Sequence, residues 1–263
     1  MRYQTNNFSQ LHKIENRMIL LGASNMTMSQ RLIIQLIQQR CGSPSEVLVA
    51  AGHGRSYGKS SQVLMRGLPG ILECGLWKQF DSLGEMPTYA FLTDVGNDIP
   101  YEYTPEQILA WVSECVERLQ RQSAYIVMTN IPIASIQTLS ERRYNFFRHL
   151  LYPFCRLSRD EVVERAKTVH RGLIALASRQ NFELCELEPG WFGFDGIHVR
   201  YWQRRRFYQQ HFKRFPLTNN GQEPVASAWQ QRPQFAFKTM WGRRRYCQQP
   251  SGRLADGTTV AMY

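Results

Sequence analysis

Residues 17–25 have the sequence RMILLGASN, in which four large apolar residues are followed by a glycine, an alanine, Ser24 and Asn25. A short apolar run without polar alternation is typical of a strand that is covered on both faces, as in a parallel sheet. Parallel strands bring the residues that follow them to one edge of the sheet, where α/β proteins bind their ligands. Ser24 is therefore predicted to lie at the functional edge of such a sheet.

Four further apolar runs predict strands, and helical patterns separate them. The predicted strands are 17–23, 46–51, 89–95, 124–129 and 182–187. The predicted helices are 28–40 after Thr27 as N-cap, 105–121 after Thr104 with Pro105 in the first turn, and 140–179 with a break near Pro153. Alternating strands and helices imply right-handed βαβ crossovers. The pattern predicts a three-layer α/β/α sandwich with about five mostly parallel strands.

The composition excludes several classes of protein. No apolar stretch approaches the roughly 18 residues that a membrane helix requires. Six cysteines are scattered without a CxxC pair, which favours reduced thiols in a cytoplasmic protein over a disulfide framework or a zinc site. No metal-binding histidine motif and no Walker loop is present, and the only glycine-rich turn, at 52–58, lacks the acidic residue of a dinucleotide site. We therefore expect neither a metal nor a cofactor.

The positive charge is concentrated near the C-terminus. Residues 199–263 contain twelve lysines and arginines but only Glu223 and Asp256 as acids, whereas residues 1–198 are almost neutral. The turn-rich segment 216–224 suggests a division into a main domain, 1–215, and a basic C-terminal arm, 216–263, packed on it. The basic run 200–206 could bind an anionic substrate, an acidic partner or an anionic membrane surface, or it could be a solvated helix face. No specific nucleic-acid motif accompanies it.

Four short blocks carry residues that suit nucleophilic chemistry. They are Gly22-Ala23-Ser24-Asn25, Gly52-His53-Gly54, Gly96-Asn97-Asp98 and Asp195-Gly196-Ile197-His198. A serine nucleophile needs a base such as His198 and a carboxylate such as Asp195 to hold the imidazole. Gly54 and Asn97 could supply N–H donors to an oxyanion. Each block alone has an ordinary explanation as a helix cap, a turn or a local hydrogen bond. Only their combination and their order along the chain indicate a shared site.

In that order the four blocks resemble the SGNH hydrolases, the GDSL-type esterases and lipases, over residues 17–200. The resemblance implies a flavodoxin-like sandwich, a small-molecule ester substrate and hydrolysis through an acyl-enzyme. It implies that Ser24, His198 and Asp195 form the catalytic triad, and that Gly54 and Asn97 contribute to the oxyanion hole. Two positions depart from the family pattern: Ala23 replaces an aspartate, and Val199 stands where proline often follows the histidine.

Three alternatives remain open from the sequence. Gly54-Arg55-Ser56-Tyr57-Gly58 fits the G-x-S-x-G elbow of α/β-hydrolases, although only two predicted strands precede it. His53 could compete with His198 for the role of base. A catalytically inactive binding protein could also keep the fold and use its basic C-terminal surface to hold an anionic partner.

Overall fold

The computed structural model describes residues 13–63, 66–219, 229–232, 234–241 and 243–263. The strands are β1 (Asn16–Leu21), β2 (Ser45–Ala50), β3 (Ser61–Val63), β4 (Arg66–Leu68), β5 (Thr88–Leu92), β6 (Tyr125–Thr129), β7 (Glu183–Cys185), β8 (Phe237–Met240), β9 (Arg243–Tyr246), β10 (Ser251–Arg253) and β11 (Thr259–Met262). The α-helices are α1 (Ser24–Cys41), α2 (Leu76–Ser82), α3 (Pro105–Gln120), α4 (Ile133–Gln137), α5 (Glu141–Leu151), α6 (Arg159–Gln180) and α7 (Arg204–Phe212). Short 3₁₀ helices cover Val95–Tyr101, Pro189–Trp191 and Tyr201–Gln203.

A seven-stranded sheet in the order β10-β11-β2-β1-β5-β6-β7 forms the centre of the molecule. Every neighbouring pair in it is parallel except β10 with β11. The five predicted strands are neighbours in this sheet and follow the order 2-1-3-4-5 of flavodoxin-like folds. The predicted parallel α/β fold is confirmed. The sheet has two more strands than predicted, because the C-terminal segment that contains β10 and β11 shows no sustained period in the sequence.

The side chains of β1 explain the three layers. Met18 and Leu20 are fully buried in one apolar cluster with residues of α1 and α7. Ile19 and Leu21 are fully buried in a second cluster with residues of α2, α3 and α6. Alternate side chains of a strand point to opposite faces, so a continuous apolar run needs helices on both sides.

Helix α3 begins where its sequence predicts. The Thr104 hydroxyl accepts the Gln107 N–H, the Gln107 side chain accepts the Thr104 N–H, and Pro105 occupies the first turn. The predicted break near Pro153 is also present, because α5 ends at Leu151 and α6 begins at Arg159. No helix in the described ranges is long and apolar enough to cross a membrane.

Helix α1 begins four residues earlier than predicted, at Ser24. The prediction that Thr27 caps this helix is wrong, because its hydroxyl lies inside the first turn and donates to the Ala23 carbonyl at 2.6 Å. The cap comes instead from Asp94, which follows β5 and accepts the N–H groups of Ala23 and Asn25 at 2.8 and 3.1 Å. A carboxylate that follows a neighbouring strand can accept the free N–H groups of the first helical turn. The local sequence does not reveal such a contact, because the sheet creates it.

The C-terminal segment forms two hairpins. The β8–β9 hairpin pairs with β4 in an antiparallel sheet of order β3-β4-β8-β9. The β10–β11 hairpin extends the main sheet, with β11 parallel to β2. The segment predicted as a boundary, 216–224, lies partly outside the described residues.

A buried polar cluster attaches the β10–β11 hairpin to the main sheet. The Thr258 hydroxyl accepts the Ser45 N–H at 3.0 Å and a Gln38 side-chain N–H at 2.8 Å. It donates to the Asp256 carboxylate at 2.8 Å. These four residues are all buried, so each hydrogen bond replaces one that water would otherwise supply.

Thr258→Val should lower the free energy of unfolding by about 1–3 kcal/mol, because the Ser45 N–H and the Gln38 amide lose their buried acceptor. Thr259→Val is the matched control, since Thr259 is only partly buried and valine keeps a β-branched side chain at this position of β11. Urea denaturation of the two variants measures the difference. Equal stability of both would contradict the role given to the Thr258 hydroxyl.

Candidate active site

Ser24 lies at the carboxyl edge of the sheet, as the first residue of α1. The register pairs Leu21, near the end of β1, with Ala50 on β2 and Leu92 on β5. Because these three parallel strands end at the same level, the loops that follow them meet at one place. Of the three blocks that follow these strands, those of Ser24 and Asn97 line the same cavity.

Ser24, His198 and Asp195 form a continuous hydrogen-bonded chain. The Ser24 Oγ is 2.8 Å from His198 Nε2, and His198 Nδ1 is 2.6 Å from Asp195 Oδ2. A carboxylate only accepts hydrogen bonds, so Nδ1 carries the proton and Nε2 accepts from the Ser24 hydroxyl. The structure thus brings together three predicted residues, although 174 positions separate the serine from the histidine.

The turn from Asp195 to His198 holds the carboxylate in place. Asp195 Oδ1 accepts the N–H groups of Ile197 at 3.1 Å and His198 at 2.9 Å, which leaves Oδ2 to face the imidazole. An aspartate that accepts N–H groups two and three residues ahead makes a tight local turn. A single loop therefore supplies both the imidazole and its correctly oriented partner.

The pKa values of this pair reflect burial opposed by mutual attraction. Burial lowers the pKa of His198, but the hydrogen bond and charge of Asp195 outweigh it, with a smaller contribution from Asp94, and the net pKa is above 6.5. Burial raises the pKa of Asp195, but bonding to His198 outweighs it and the net pKa is below the usual value. His198 is consequently a stronger base than an isolated histidine, and Asp195 stays ionised.

Asn25 links the first helix to the histidine loop. Its side-chain amide donates to Asp94 Oδ1 at 2.8 Å and to the Ile197 carbonyl at 2.9 Å. Its Oδ1 accepts the Val199 N–H at 2.9 Å. The amide thus fixes the backbone on both sides of His198. Sequence reasoning missed Asn25 and Asp94, although both stand inside or beside the quoted blocks.

The two departures from the family pattern have physical explanations. At position 23 an aspartate would stand at the N-cap of α1, and here Asp94 supplies the carboxylate from the neighbouring strand. Val199 has an N–H that bonds to Asn25, a hydrogen bond that proline could not donate. Neither substitution removes a group from the chain of Ser24, His198 and Asp195.

Asn97 has a defined orientation in the cavity wall. Its Oδ1 accepts the Tyr152 hydroxyl at 2.9 Å, and its Nδ2 is 3.5 Å from the Arg55 carbonyl. Because Tyr152 occupies the acceptor end, the NH₂ group is the end that remains to donate. Tyr152 was not predicted, since nothing in the sequence connects it to a block 55 residues away.

Gly54 lies beside Asn97 but does not line the cavity that contains Ser24. Its φ is +70°, and a Cβ there would come within 2.1 Å of Val63, so the turn requires glycine. The Tyr101 hydroxyl donates to the Gly54 carbonyl at 2.7 Å. Of the two predicted oxyanion donors, the structure therefore brings only Asn97 into the cavity with Ser24.

Ser56, the alternative nucleophile, is fully buried and structural. Its hydroxyl donates to Asp98 and accepts the N–H groups of Gly58 and Lys59, both at 3.1 Å. These contacts use the proton and both lone pairs of the hydroxyl, which is typical of a turn-forming serine. The elbow interpretation is therefore wrong. His53, the alternative base, is exposed on the neighbouring turn.

A cavity of about 140 Å³ opens beside Ser24. Polar residues of the site, Ser24, Asn25, Asn97 and Asp195, line it. Its wall is mainly apolar and includes Ile99, Ile131, Leu139, Phe147, Leu151 and Val163. A few polar groups in a mainly apolar wall are typical of pockets for small ligands.

The basic run after His198 has a mixed structure. Arg204 is partly buried and donates to the carbonyls of Met28, at 3.1 Å, and Val199. Arg205 and Arg206 are exposed. Arg204 therefore links α1 to the backbone that follows His198, whereas Arg205 and Arg206 face solvent. Within the described residues, no group of three or more histidine, cysteine or acidic side chains could hold a metal ion.

Comparison with solved structures finds this fold in known esterases. A carbohydrate acetylesterase family member from Sinorhizobium meliloti matches with a TM-score of 0.53 at 13% identity, over 75% of this chain and 95% of that one. The inhibitor-bound aryl esterase of M. smegmatis matches with a TM-score of 0.51 at 15% identity, over 74% and 95%. The chain has the fold of the SGNH-type esterases. No protein-family model matches the sequence, and a search of curated proteins found no match to it.

The raised pKa of His198 can be measured by NMR titration of the imidazole. We expect a value above 6.5 in the unmodified protein and a lower one in Asp195→Asn, because the amide keeps the shape of the turn but removes the negative charge. The resonances of the other histidines are the internal control. An unchanged His198 titration in Asp195→Asn would contradict the electrostatic explanation.

Proposed function

We propose that this protein hydrolyses carboxylic esters through an acyl-enzyme formed on Ser24. The observation that carries the proposal is the chain from Ser24 Oγ through His198 to Asp195, with distances of 2.8 and 2.6 Å. This is the arrangement that nucleophilic serine chemistry requires: a base beside the hydroxyl and a carboxylate behind the base. The esterase fold and the adjoining cavity support it.

In this proposal, His198 transfers the proton at each step. His198 Nε2 accepts the Ser24 proton as Oγ attacks the ester carbonyl, and Asp195 stabilises the imidazolium that results. The tetrahedral intermediate collapses, the C–O bond to the alcohol breaks, and His198 returns the proton to the leaving alkoxide. Water then attacks the acyl group while His198 accepts its proton, the acyl C–Oγ bond breaks, and His198 returns the proton to Oγ as the acid leaves.

Negative charge on the carbonyl oxygen needs donors near Ser24. The Ser24 N–H lies in the first turn of α1, where the helix end favours negative charge. Asn97 lines the same cavity, and the bond from Tyr152 to its Oδ1 leaves its NH₂ group to act as a donor. We assign these two groups to the oxyanion hole. Gly54 stays a prediction, because it is not among the residues that line the cavity.

The apolar wall of the cavity suits the acyl group of the substrate. Its wall contains Ile131, Phe147, Leu151 and Val163, and burying a methylene there is worth about 0.8 kcal/mol. The substrate in this proposal is thus an ester of an apolar acid. Binding of an anionic ligand at 200–206 and a cytoplasmic location remain proposals, the second supported by six free cysteines.

Ser24→Ala should abolish both hydrolysis of short-chain p-nitrophenyl esters and labelling by a fluorophosphonate probe, because no other atom can take the place of Oγ. Ser56→Ala should retain labelling of the folded fraction. Thermal unfolding of both variants controls for loss of structure. Activity that survives in Ser24→Ala would contradict the proposal, and absence of activity in the unmodified protein on every ester would favour the inactive binding protein.

Asn97→Ala should reduce kcat by about 10²–10³ with little change in KM, since the amide would bind the oxyanion more strongly than the ground-state carbonyl. Tyr152→Phe keeps the edge-to-face packing on Tyr101 but frees the amide to rotate, so it should cause a smaller loss in kcat. Steady-state kinetics on one ester compares the three proteins. Equal kcat in all of them would remove Asn97 from the oxyanion hole.

A further inference from the structure

Helix α5 has large apolar side chains both on an inner side, toward the protein, and on an outer side, toward solvent. On the inner side, Tyr144, Phe147 and Leu151 line the cavity beside Ser24. On the outer side, Phe146 and Leu150 are 62% and 52% exposed and stand one turn apart. A surface helix normally turns its polar side to water, so a helix with this pattern is expected to have a second apolar environment.

The exposed apolar surface extends beyond the helix and reaches the candidate active site. Phe154, just after α5, is 92% exposed, and Phe194 is 70% exposed. The Phe194 ring lies 6.2 Å from that of Phe147 and carries Arg143 stacked at 3.9 Å. Phe194 directly precedes Asp195 in the chain. We call Phe146, Leu150, Phe154 and Phe194 the α5 patch.

The charges around the α5 patch are mainly positive. Residues 140–158 contain four arginines and a single acid, Glu141. Arg142 and His149 are exposed on the outer side of α5 together with Phe146 and Leu150, and the exposed Arg156 follows Phe154. Apolar side chains flanked by arginines match a lipid surface, where acyl chains lie beneath anionic headgroups.

We propose that the α5 patch docks on an anionic lipid surface, with α5 lying in the headgroup region. The aromatic and leucine side chains would enter the acyl boundary while the arginines contact lipid phosphates. The inference rests on the proposed function in one respect: the cavity on the inner side of α5 would receive an acyl chain from the surface that its outer side contacts.

Co-sedimentation with vesicles tests the docking without catalysis. Full-length Ser24→Ala should bind vesicles of equal parts phosphatidylcholine and phosphatidylglycerol, bind phosphatidylcholine alone more weakly, and dissociate as salt is added. Phe146→Ser/Leu150→Ser should weaken binding about tenfold or more, because two insertions are lost. Ile174→Ser, which removes a 47% exposed apolar side chain from α6, is the matched control and should bind normally.

Two outcomes would overturn the docking. One is absence of binding to either vesicle, or equal binding by the double variant and the unmodified surface. The other is a dimer in analytical ultracentrifugation that the double variant converts to a monomer, which would make the α5 patch an interface between copies of this chain. Because binding is measured in the Ser24→Ala background, failure of ester hydrolysis leaves this result unaffected, and failure of binding leaves hydrolysis of dissolved esters intact.

Discussion

The carboxylate of Asp94 at the N-terminus of α1 is the interaction on which the site depends. A helix start leaves several N–H groups without partners, and Asp94 accepts those of Ala23, Asn25 and Met26. This contact allows α1 to begin immediately after β1, so that Ser24 becomes the first helical residue. It also orients the Asn25 side chain, which in turn holds the backbone on both sides of His198.

Two carboxylates near one imidazole have different tasks because their hydrogen bonds differ. Asp94 accepts three backbone N–H groups and the Asn25 amide, which leaves it committed to the helix. Asp195 directs one oxygen to the backbone and the other to His198. Both negative charges raise the pKa of His198, but only Asp195 sets its tautomer and orientation. At the same edge of the sheet, Asp94 thus holds the start of α1 and Asp195 holds the imidazole of His198.

The connection between β6 and α6 gives the site its apolar character. Helices α4 and α5 are inserted there and cover the open side of the sheet edge, where they wall the cavity beside Ser24. Helix α5 has no fully buried residue, although it carries aromatic side chains on both sides. A helix without buried residues that lies between an apolar cavity and an apolar outer surface is suited to a boundary between protein and lipid.

The sequence by itself determined the parallel sheet and its five central strands, because continuous apolar runs require cover on both faces. It also located Ser24, Asn97, Asp195 and His198, since the ends of parallel strands share one edge. It did not reveal the start of α1, whose cap is Asp94, 68 or more positions along the chain from the N–H groups that it accepts. It also did not reveal the Tyr152 hydroxyl that orients Asn97.

The strands β10 and β11 and the structural role of Ser56 were likewise decided only by tertiary structure. The segment that contains β10 and β11 shows no sustained period in the sequence, and the pairing of β11 with β2 is accompanied by contacts such as those of Thr258. Ser56 matches a nucleophile motif in one dimension, but the fold turns its hydroxyl into the protein interior toward Asp98. A motif specifies which residues are neighbours in the chain. The burial of a residue and its hydrogen-bond partners depend on distant segments that the fold packs against it.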